Sequence, residues 1–435
     1  MPAKLKILIV GAGGGREHAI GWKVAQSPRA GQLFFARGNA GTAELGTNLE
    51  IKETEITKLI EFAKKEKIDL TLALSDDPMA LGIVDQFQKE NLRIWGPSQK
   101  ASELEWSKTF SKEFMCQNNL PTAKFEVFSD YQKAKEYVNK QSMPIVIKAD
   151  GLALGKGVVI CQTEADAEKT LEDFMIKKIF GESGNKVVIE EFMTGPEISI
   201  HVFSDGKNYK IFPVSQDHKR IFDGDKGPNT GGIGAIAPLP FVSDKLLKEI
   251  EENIVTPAIR GLVEDGIPFT GILYPGLMLT KDGPKLLEFN ARFGDPEAQV
   301  YVRLLETDIL DIIEASIDGK LDEIEIKWKS GFACNIVLCS KGYPGNYEKG
   351  KVITLPPRPE ATPQEGNEIV IFHAGTKRND KNNLVTNGGR VLGVSAVGNT
   401  LQEALDKTYK AIEKISFEGM QYRKDIGKKA LTLSP

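Results

Sequence analysis

The sequence predicts a multidomain protein of the α/β and α+β classes. Three observations carry that expectation. The first hundred residues alternate strand-like and helix-like stretches, the pattern of parallel βαβ units. The residues that follow change to closely spaced strands with few helices. At 435 residues the chain is also too long for one hydrophobic core, which points to about two to four domains.

In order, "LKILIV" reads as a strand, "REHAIGWKVAQS" as a helix and "QLFFAR" as a strand. "EITKLIEFAKKEK" has apolar residues at 56, 59, 60 and 63, the spacing of a helix face. "IDLTLALS" is a strand, "PMALGIVDQFQKEN" a helix and "LRIWGPS" a strand. "PSQKASELEWSKTFSKEFMCQNNLP" reads as one helix ending before Pro121. The strands "FEVF", "PIVIKADG", "GVVICQ", "KVVIEEFM", "EISIHVFSDG" and "YKIFPV" come next, with a helix at "TEADAEKTLEDFMIKKIF". Residues 244–264 form a long helix around Pro257. "TGILYPGLMLTKDGPKLLEFN" is a β-hairpin with Asp-Gly at its turn. After a helix at "ETDILDIIEASIDG", further strands follow Gly331. "LPPRPEATP" reads as a surface loop, and "LQEALDKTYKAIEKI" is a final amphipathic helix.

Hydrophobic residues make up 41% of the chain and charged residues 27%, the ordinary range of a soluble globular protein. A net charge of −4, with both signs interspersed, argues against a general nucleic-acid or membrane-surface role. Cys116, Cys161, Cys334 and Cys339 form no CxxC pair, so neither a zinc site nor a redox dithiol is indicated. No apolar run approaches the roughly eighteen residues of a membrane span. The first apolar run is a short strand, not a signal peptide. The expected location is the cytoplasm.

Six segments carry candidate chemistry. "GAGGGREH" follows the first strand, but the sixth position of a dinucleotide fingerprint, where Gly packs helix on strand, is Arg16. A glycine turn entering a helix N-terminus still binds anions, and Arg16 and His18 add donors. "ARGNAG" is a second, weaker loop of that kind. "IKADGLALGKGVVI" sets Gly151, Gly155 and Gly157 between two strands, with Lys148 and Lys156 nearby. It is not a Walker loop, because three residues rather than four precede Gly-Lys and a strand follows. Such a hairpin can close over a triphosphate. In "LLEFNARFGDPE", Glu288 and Asn290 share a strand face. A buried carboxylate needs a partner, and oxygen ligands from Glu and Asn suit Mg²⁺. A solvated strand face followed by a charged turn fits the same pattern. "VVIEEFMTGPEISIHVF" places Glu190, Glu191 and Glu197 at strand ends; alone, these read as surface glutamates. In the polar loop "QDHKRIFDGDKGPNTGGIGA", His218 beside Lys219 and Arg220 reads as a structural or orienting residue rather than a general base.

Together "GGREHA", "KADGLALGKGV", "QDHKR" with "GDKGPNTGGIGA", "LLEFNARFGDPE", "FHAGT" and "TNGGRVLGV" resemble, in order and over nearly the whole chain, the glycinamide ribonucleotide synthetase family of the ATP-grasp superfamily. The resemblance implies a Rossmann-like pre-ATP-grasp domain over 1–103, an ATP-grasp core over 104–329 with a mobile lid at about 122–194, and a small mostly-β domain over 330–435. It implies a monofunctional ligase joining glycine to 5-phosphoribosylamine through glycyl phosphate, with ATP and Mg²⁺ or Mn²⁺, as a monomer or weak homodimer. On that resemblance Lys108 and Lys148 contact the ATP phosphates under the loop of Gly151, Gly155, Lys156 and Gly157. Backbone at Glu190 and Glu191 holds adenine, and Glu197 the ribose. Glu288 and Asn290 hold the metal, and Arg292 stabilises the transferred oxygens. Asp217 and Asp295 lie near the glycine ammonium. Gly13, Gly14, Arg16, Glu17 and His18, with Asn39, Gly41 and Thr42, take the phosphoribosylamine phosphate.

Three departures from the family pattern stand out. "LSDDPMALG" has Asp76 and Asp77 where a Gly-Pro-Glu-like turn is usual, which bears on the amine substrate. "LYPGLM" has Pro275 for the usual Ala, and a proline, lacking a donor, should sit at a bulge or strand edge. "EFNARFGDPE" has Ala291 for the usual Cys. If the glycine loop is a lid, shortening residues 151–157 releases phosphate without ligation. Product formed per ADP released measures this, and a ratio that stays at one would remove the loop from that role.

Overall fold

The computed structural model describes residues 4–151, 157–356 and 368–433. Gly155 and Lys156, and most of "LPPRPEATP", lie outside the described residues.

The N-terminal sheet is parallel throughout, as the alternation predicts. Leu5–Val10 lies at its centre between Ala30–Ala36 and Leu70–Ala73, with Thr47–Leu49 and Ile94–Trp95 at the edges. The chain moves outward from Leu5–Val10 in one direction and then resumes on its other side. The crevice beyond the carboxyl ends of Leu5–Val10 and Leu70–Ala73 is therefore the topological switch point, where such sheets bind ligands. The Gly11–Gly14 turn flanks it on one side and Asp76 and Asp77 on the other. The expected helix over this second turn is two, Asp76–Ala80 and Ile83–Lys89, because Gly82 turns left-handed at φ 77°.

A four-stranded antiparallel sheet of Phe125–Phe128, Val187–Glu191, Ile145–Ala149 and Val158–Cys161 carries the helices Tyr131–Val138 and Glu164–Leu171 over its own core. A second antiparallel sheet centres on the hairpin Thr270–Thr280 and Gly283–Asn290, with Glu197–Ser199, Val202–Asp205 and Tyr209–Ile211 beside it. Pro275 is not at an edge. It lies within the central strand, and its missing N–H interrupts the ladder opposite Ile200, whose own N–H still donates to Pro275 O (3.1 Å). A third sheet joins Gln216–Asp217 and Gly234–Ala237 to Phe332–Ser340, Arg390–Gly398 and Ile369–His373. It pairs strands from either side of residue 330, and Leu401–Ile412 packs on it.

Two further expected helices are interrupted. In 244–264, the π-turn Glu251–Val255 precedes Pro257, a wider turn at the point where proline lacks a donor. The helix expected after residue 98 breaks at Ser107 into Gln99–Trp106 and Lys108–Gln117. The second piece is capped twice. Ser107 Oγ accepts from Phe110 N–H (3.1 Å), and Asp150 Oδ1 accepts from Thr109 N–H (3.0 Å) and from the Ser107 hydroxyl (3.0 Å). Asp150 adjoins the glycine loop, so this long-range cap ties the loop's base to the helix bearing Lys108. Ser107→Ala should lower stability by about 1 kcal/mol, read from the urea midpoint. An unchanged midpoint would mean that Asp150 alone satisfies the helix terminus.

Candidate active site

The site begins with a register slip. Glu288 pairs with Gly276, but Leu286 pairs with Leu277, so Leu287 is a bulge. Pro284 and Leu286 are buried before it and Phe289 after it. Without the slip Glu288 and Asn290 would share the buried face of Leu286. The bulge turns them outward instead. Lys148 Nζ donates to Leu287 O (3.1 Å), so the bulge also orients that lysine. Burial pushes the Glu288 carboxyl up, but Lys219, Lys108, Lys148 and Arg292 hold it down to about 2.

Three of the cations near Glu288 pair with a carboxylate, and the fourth, Lys108, is held by a backbone carbonyl. Lys148 Nζ lies 2.9 Å from Glu190 Oε1, and Lys112 shares that oxygen at 3.3 Å. Glu190 is thus buried and paired, not a surface glutamate. Glu191 is the more exposed neighbour, and its backbone N–H already donates to Lys124 O (2.9 Å). Lys108 Nζ donates to Glu105 O (2.7 Å). Arg292 meets Glu105 Oε1 at 2.8 Å and donates to Asn290 Oδ1 at 3.3 Å. Lys219 spans Glu197 (3.5 Å) and Glu288 (3.7 Å), and these anions raise its affinity for its proton against the effect of burial. Gly151 and Gly157 stand at the base of the loop, where Ala149 N–H donates to Gly157 O (2.8 Å).

Asp217 departs from this pairing. It lines a cleft with Glu197, Ser199, Lys219 and Tyr274, and its Oδ1 is buried without a hydrogen-bond partner. Burial and the neighbouring Glu297 push its carboxyl well up. Behind the cleft Tyr274 donates to Glu297 Oε1 (2.7 Å). His201 stacks on Tyr274 with 3.9 Å between ring centres. Gly294 N–H donates to His201 Nε2 (3.2 Å), so His201 Nδ1–H donates to Tyr301 (2.9 Å), which donates to Ser215 Oγ (2.6 Å). This chain fixes the turn between Arg292 and Asp295.

The N-terminal loops reach the same place. Gly13 has φ 72°, and a Cβ there would lie 2.0 Å from Arg37 O. Glu17 folds back to accept from Gly14 N–H (2.7 Å) and pairs with Arg16 (2.9 Å), whose Nη1 donates to Phe293 O (3.1 Å). Asn39 Oδ1 accepts from Gly41 and Thr42 N–H (2.8 and 3.0 Å), and its amide donates to Gly13 O (3.1 Å) and His373 O (2.8 Å). His18 Nδ1 accepts from His373 N–H (2.7 Å). Asp295 lies against Gly14 and Gly15, and Arg390 and Gln299 take its oxygens (2.9 and 2.7 Å). Burial acts to raise the Asp295 carboxyl, but Arg390 and Arg16 prevail and lower it. Arg390 also donates to Gly231 O (2.6 Å).

Contacts therefore link several of the residues named from sequence: Lys148 to Glu190 and to the Leu287 bulge, Arg292 to Asn290, and Asp295 to the Gly14 turn, while Glu197 and Asp217 line the cleft itself. Sequence reasoning missed Lys112, Glu105, Lys219, Tyr274, Glu297 and Arg390 as site residues. Lys219, Glu297 and Arg390 stood inside motifs already singled out. Lys112 and Glu105 lie in helices without a local signal. Among the described residues no group of three His, Cys, Asp or Glu forms a metal cage.

His218 is structural, as its neighbours suggested. Its Nδ1–H donates to Gly234 O (3.0 Å) and its Nε2 accepts from Gly427 N–H (3.1 Å). Burial, with Arg423, brings it down to about 4, and burial lowers His201 well below the ordinary range. Both folded pKa values are depressed, so the unfolded chain binds more protons below pH ~6.5, and stability falls as pH drops through that value. At pH 5 His218 alone should remove about 2 kcal/mol relative to pH 7.5, and His201 acts in the same direction. His218→Gln should make the slope of unfolding free energy against pH shallower by one proton. An unchanged slope would show that His218 is not buried neutral.

Family models for the N, ATP-grasp (A) and C domains of phosphoribosylglycinamide synthetase match residues 5–105, 106–298 and 333–429. The chain is 47% identical over 422 residues to phosphoribosylamine–glycine ligase of Caldanaerobacter subterraneus, covering 97% of this chain and 99% of that one. It is 48% identical over 426 residues to the ligase of Clostridium acetobutylicum, covering 98% and 100%. Among solved structures, phosphoribosylamine–glycine ligase of Thermotoga maritima superposes with a TM-score of 0.84 at 36% identity, covering 97% of this chain and all of that one (100%). A biotin carboxylase of Campylobacter jejuni shares the fold at a TM-score of 0.75 and 15% identity, covering 96% and 92%. With three domain models matched in order along the chain and full-length relatives near half identity, this chain belongs to the phosphoribosylglycinamide synthetase family.

Proposed function

We propose that this chain ligates glycine to 5-phosphoribosylamine with ATP, releasing ADP and phosphate. The observation that carries the reading is the outward-turned Glu288–Asn290 pair facing Lys108, Lys148 and Arg292. A carboxylate cannot expel oxide, so it must first receive a phosphoryl group. That transfer needs in-line positioning and neutralised charge more than covalent help from the protein. Lys108 and Lys148 meet the phosphates, and Arg292 meets the oxygens in transfer. Asp217, with an unpartnered oxygen in the cleft, accepts the glycine ammonium. Asp295 is already held by Arg390 and Gln299, so it shapes the cleft. The glycine turn and the Asn39–Thr42 loop, at the switch point of the parallel sheet, take the sugar phosphate.

The donor set fits a divalent cation that is completed by substrate. Glu288 is ionised at neutral pH and Asn290 adds a carbonyl oxygen. Mg²⁺ sites of this kind use one or two protein oxygens, with phosphates and water supplying the rest. Glu288 and Asn290 would hold Mg²⁺ or Mn²⁺, whose contribution is charge neutralisation at the phosphates. We assign the sheet of residues 125–191 as the lid that excludes water from the acyl phosphate. No helix among the described residues is long and apolar enough to cross a membrane, and we assign the cytoplasm as the place of work.

Glu288→Ala should lower kcat roughly a hundredfold or more, the range for a lost electrostatic stabiliser. Steady-state turnover checks this, and unchanged kcat would remove Glu288 from the metal site. For the reaction itself, ADP release should need both glycine and 5-phosphoribosylamine. Hydroxylamine supplied with glycine alone should trap a glycyl hydroxamate. ADP release indifferent to either substrate would overturn the assignment.

A further inference from the structure

We infer that Lys112 is a positioning residue that frees Lys148 to engage the nucleotide triphosphate. The inference rests on the reading of Lys148 as a phosphate-binding group. Lys112 is buried on the helix Lys108–Gln117, at 2% exposure. Its ammonium lies 3.3 Å from Glu190 Oε1, the oxygen that Lys148 meets at 2.9 Å. One anionic charge is thus shared by two cations, from two different elements.

The two lysines are not equivalent. Lys112 Nζ also donates to Thr122 Oγ1 (2.7 Å), and the Thr122 hydroxyl donates to Leu286 O (2.7 Å). The ring of Phe125 lies 5.6 Å from the same ammonium. Lys112 is therefore walled in between its helix, the 125–191 sheet and the strand bearing Glu288. Lys148 instead projects from its strand to the bulge at Leu287, next to Glu288. A phosphate arriving at Glu288 can draw Lys148 away from Glu190 only if Glu190 keeps a partner, because a lone buried carboxylate is costly. Lys112 is that partner. Burial and Lys148 bring Lys112 down to about 8 against the opposing pull of Glu190 and Glu288, as expected for two cations crowded on one anion. With a neutral residue at 112, Glu190 and Lys148 form a closed neutral pair, and the phosphate must break it.

Full-length protein should be titrated calorimetrically with ATP and, separately, with adenosine, which lacks phosphate. Lys112→Met should raise the Kd for ATP about tenfold or more by reducing the fraction of molecules with Lys148 available. The Kd for adenosine should stay within about twofold, and Lys112→Arg should restore ATP binding to within about threefold of the parent. In a Lys148→Met background, Lys112→Met should add little, since it acts through Lys148. Equal losses for ATP and adenosine, an additive effect in the double variant, or unchanged ATP binding in Lys112→Met would each overturn the inference. If Lys148→Met alone leaves ATP binding unchanged, the reading of the nucleotide site fails and this inference falls with it. If Lys148→Met weakens ATP binding and Lys112→Met does not, only the role of Lys112 is lost.

Discussion

The one-residue slip at Leu287 is the constraint on which the rest of the site depends. A strand alternates faces, so parity alone would send Glu288 toward the core that receives Leu286. The bulge reverses the parity between Leu286 and Phe289, keeping both in the core while Glu288 and Asn290 face the cleft. Neighbours hold the distortion in place. Leu286 N–H donates to Pro121 O (2.7 Å), the Thr122 hydroxyl donates to Leu286 O, and Lys148 donates to Leu287 O. The same bulge thus aims an anion and a cation at one point.

Around that point the protein arranges charge in pairs. Glu190 serves Lys148 and Lys112, Glu105 serves Arg292, Glu197 and Glu288 serve Lys219, and Asp295 serves Arg390. Glu190, Lys148, Lys112 and Glu105 are almost fully buried, and an unpaired charge there would be expensive. Pairing also fixes the cations in place before any substrate arrives, which is the condition for electrostatic stabilisation without reorganisation. Asp217 stands out because its buried Oδ1 has no hydrogen bond, whereas Glu190 Oε1, which also lacks an aligned one, has two lysines beside it. A cationic ligand is the natural complement of the Asp217 oxygen.

Remote segments of the chain also meet around Asp295 and Asn39. Arg390 reaches Asp295 and the Gly231 carbonyl, while the backbone of His373 meets both Asn39 and His18. The third sheet makes this possible by pairing strands from 216–237 with strands beyond residue 330. Trp95 of the parallel sheet packs near Phe203 and Phe293, so an aromatic cluster supports the turn that presents Arg292 and Asp295. The Gly11–Gly14 turn and the segment that follows the Glu288 strand are consequently packed against each other.

Local pattern was enough to read the parallel sheet, the Thr270–Asn290 hairpin and the residues that bear charge at the cleft, because alternation, turn residues and motif spacing act over a few positions. The motifs likewise sufficed for the family, since their order survives in the linear chain. Tertiary structure alone decided the bulge at Leu287, the break at Ser107 capped by Asp150, and the burial of Glu190 between two lysines. It also decided how the carboxylates are held, pairing Asp295 with Arg390 and leaving Asp217 Oδ1 without a hydrogen bond. These outcomes depend on partners 40 to nearly 190 residues away, such as Asp150 for Thr109 and Ala291 for Glu105. A charge in sequence announces that it needs a partner, but burial and the packing of distant elements determine which one it finds.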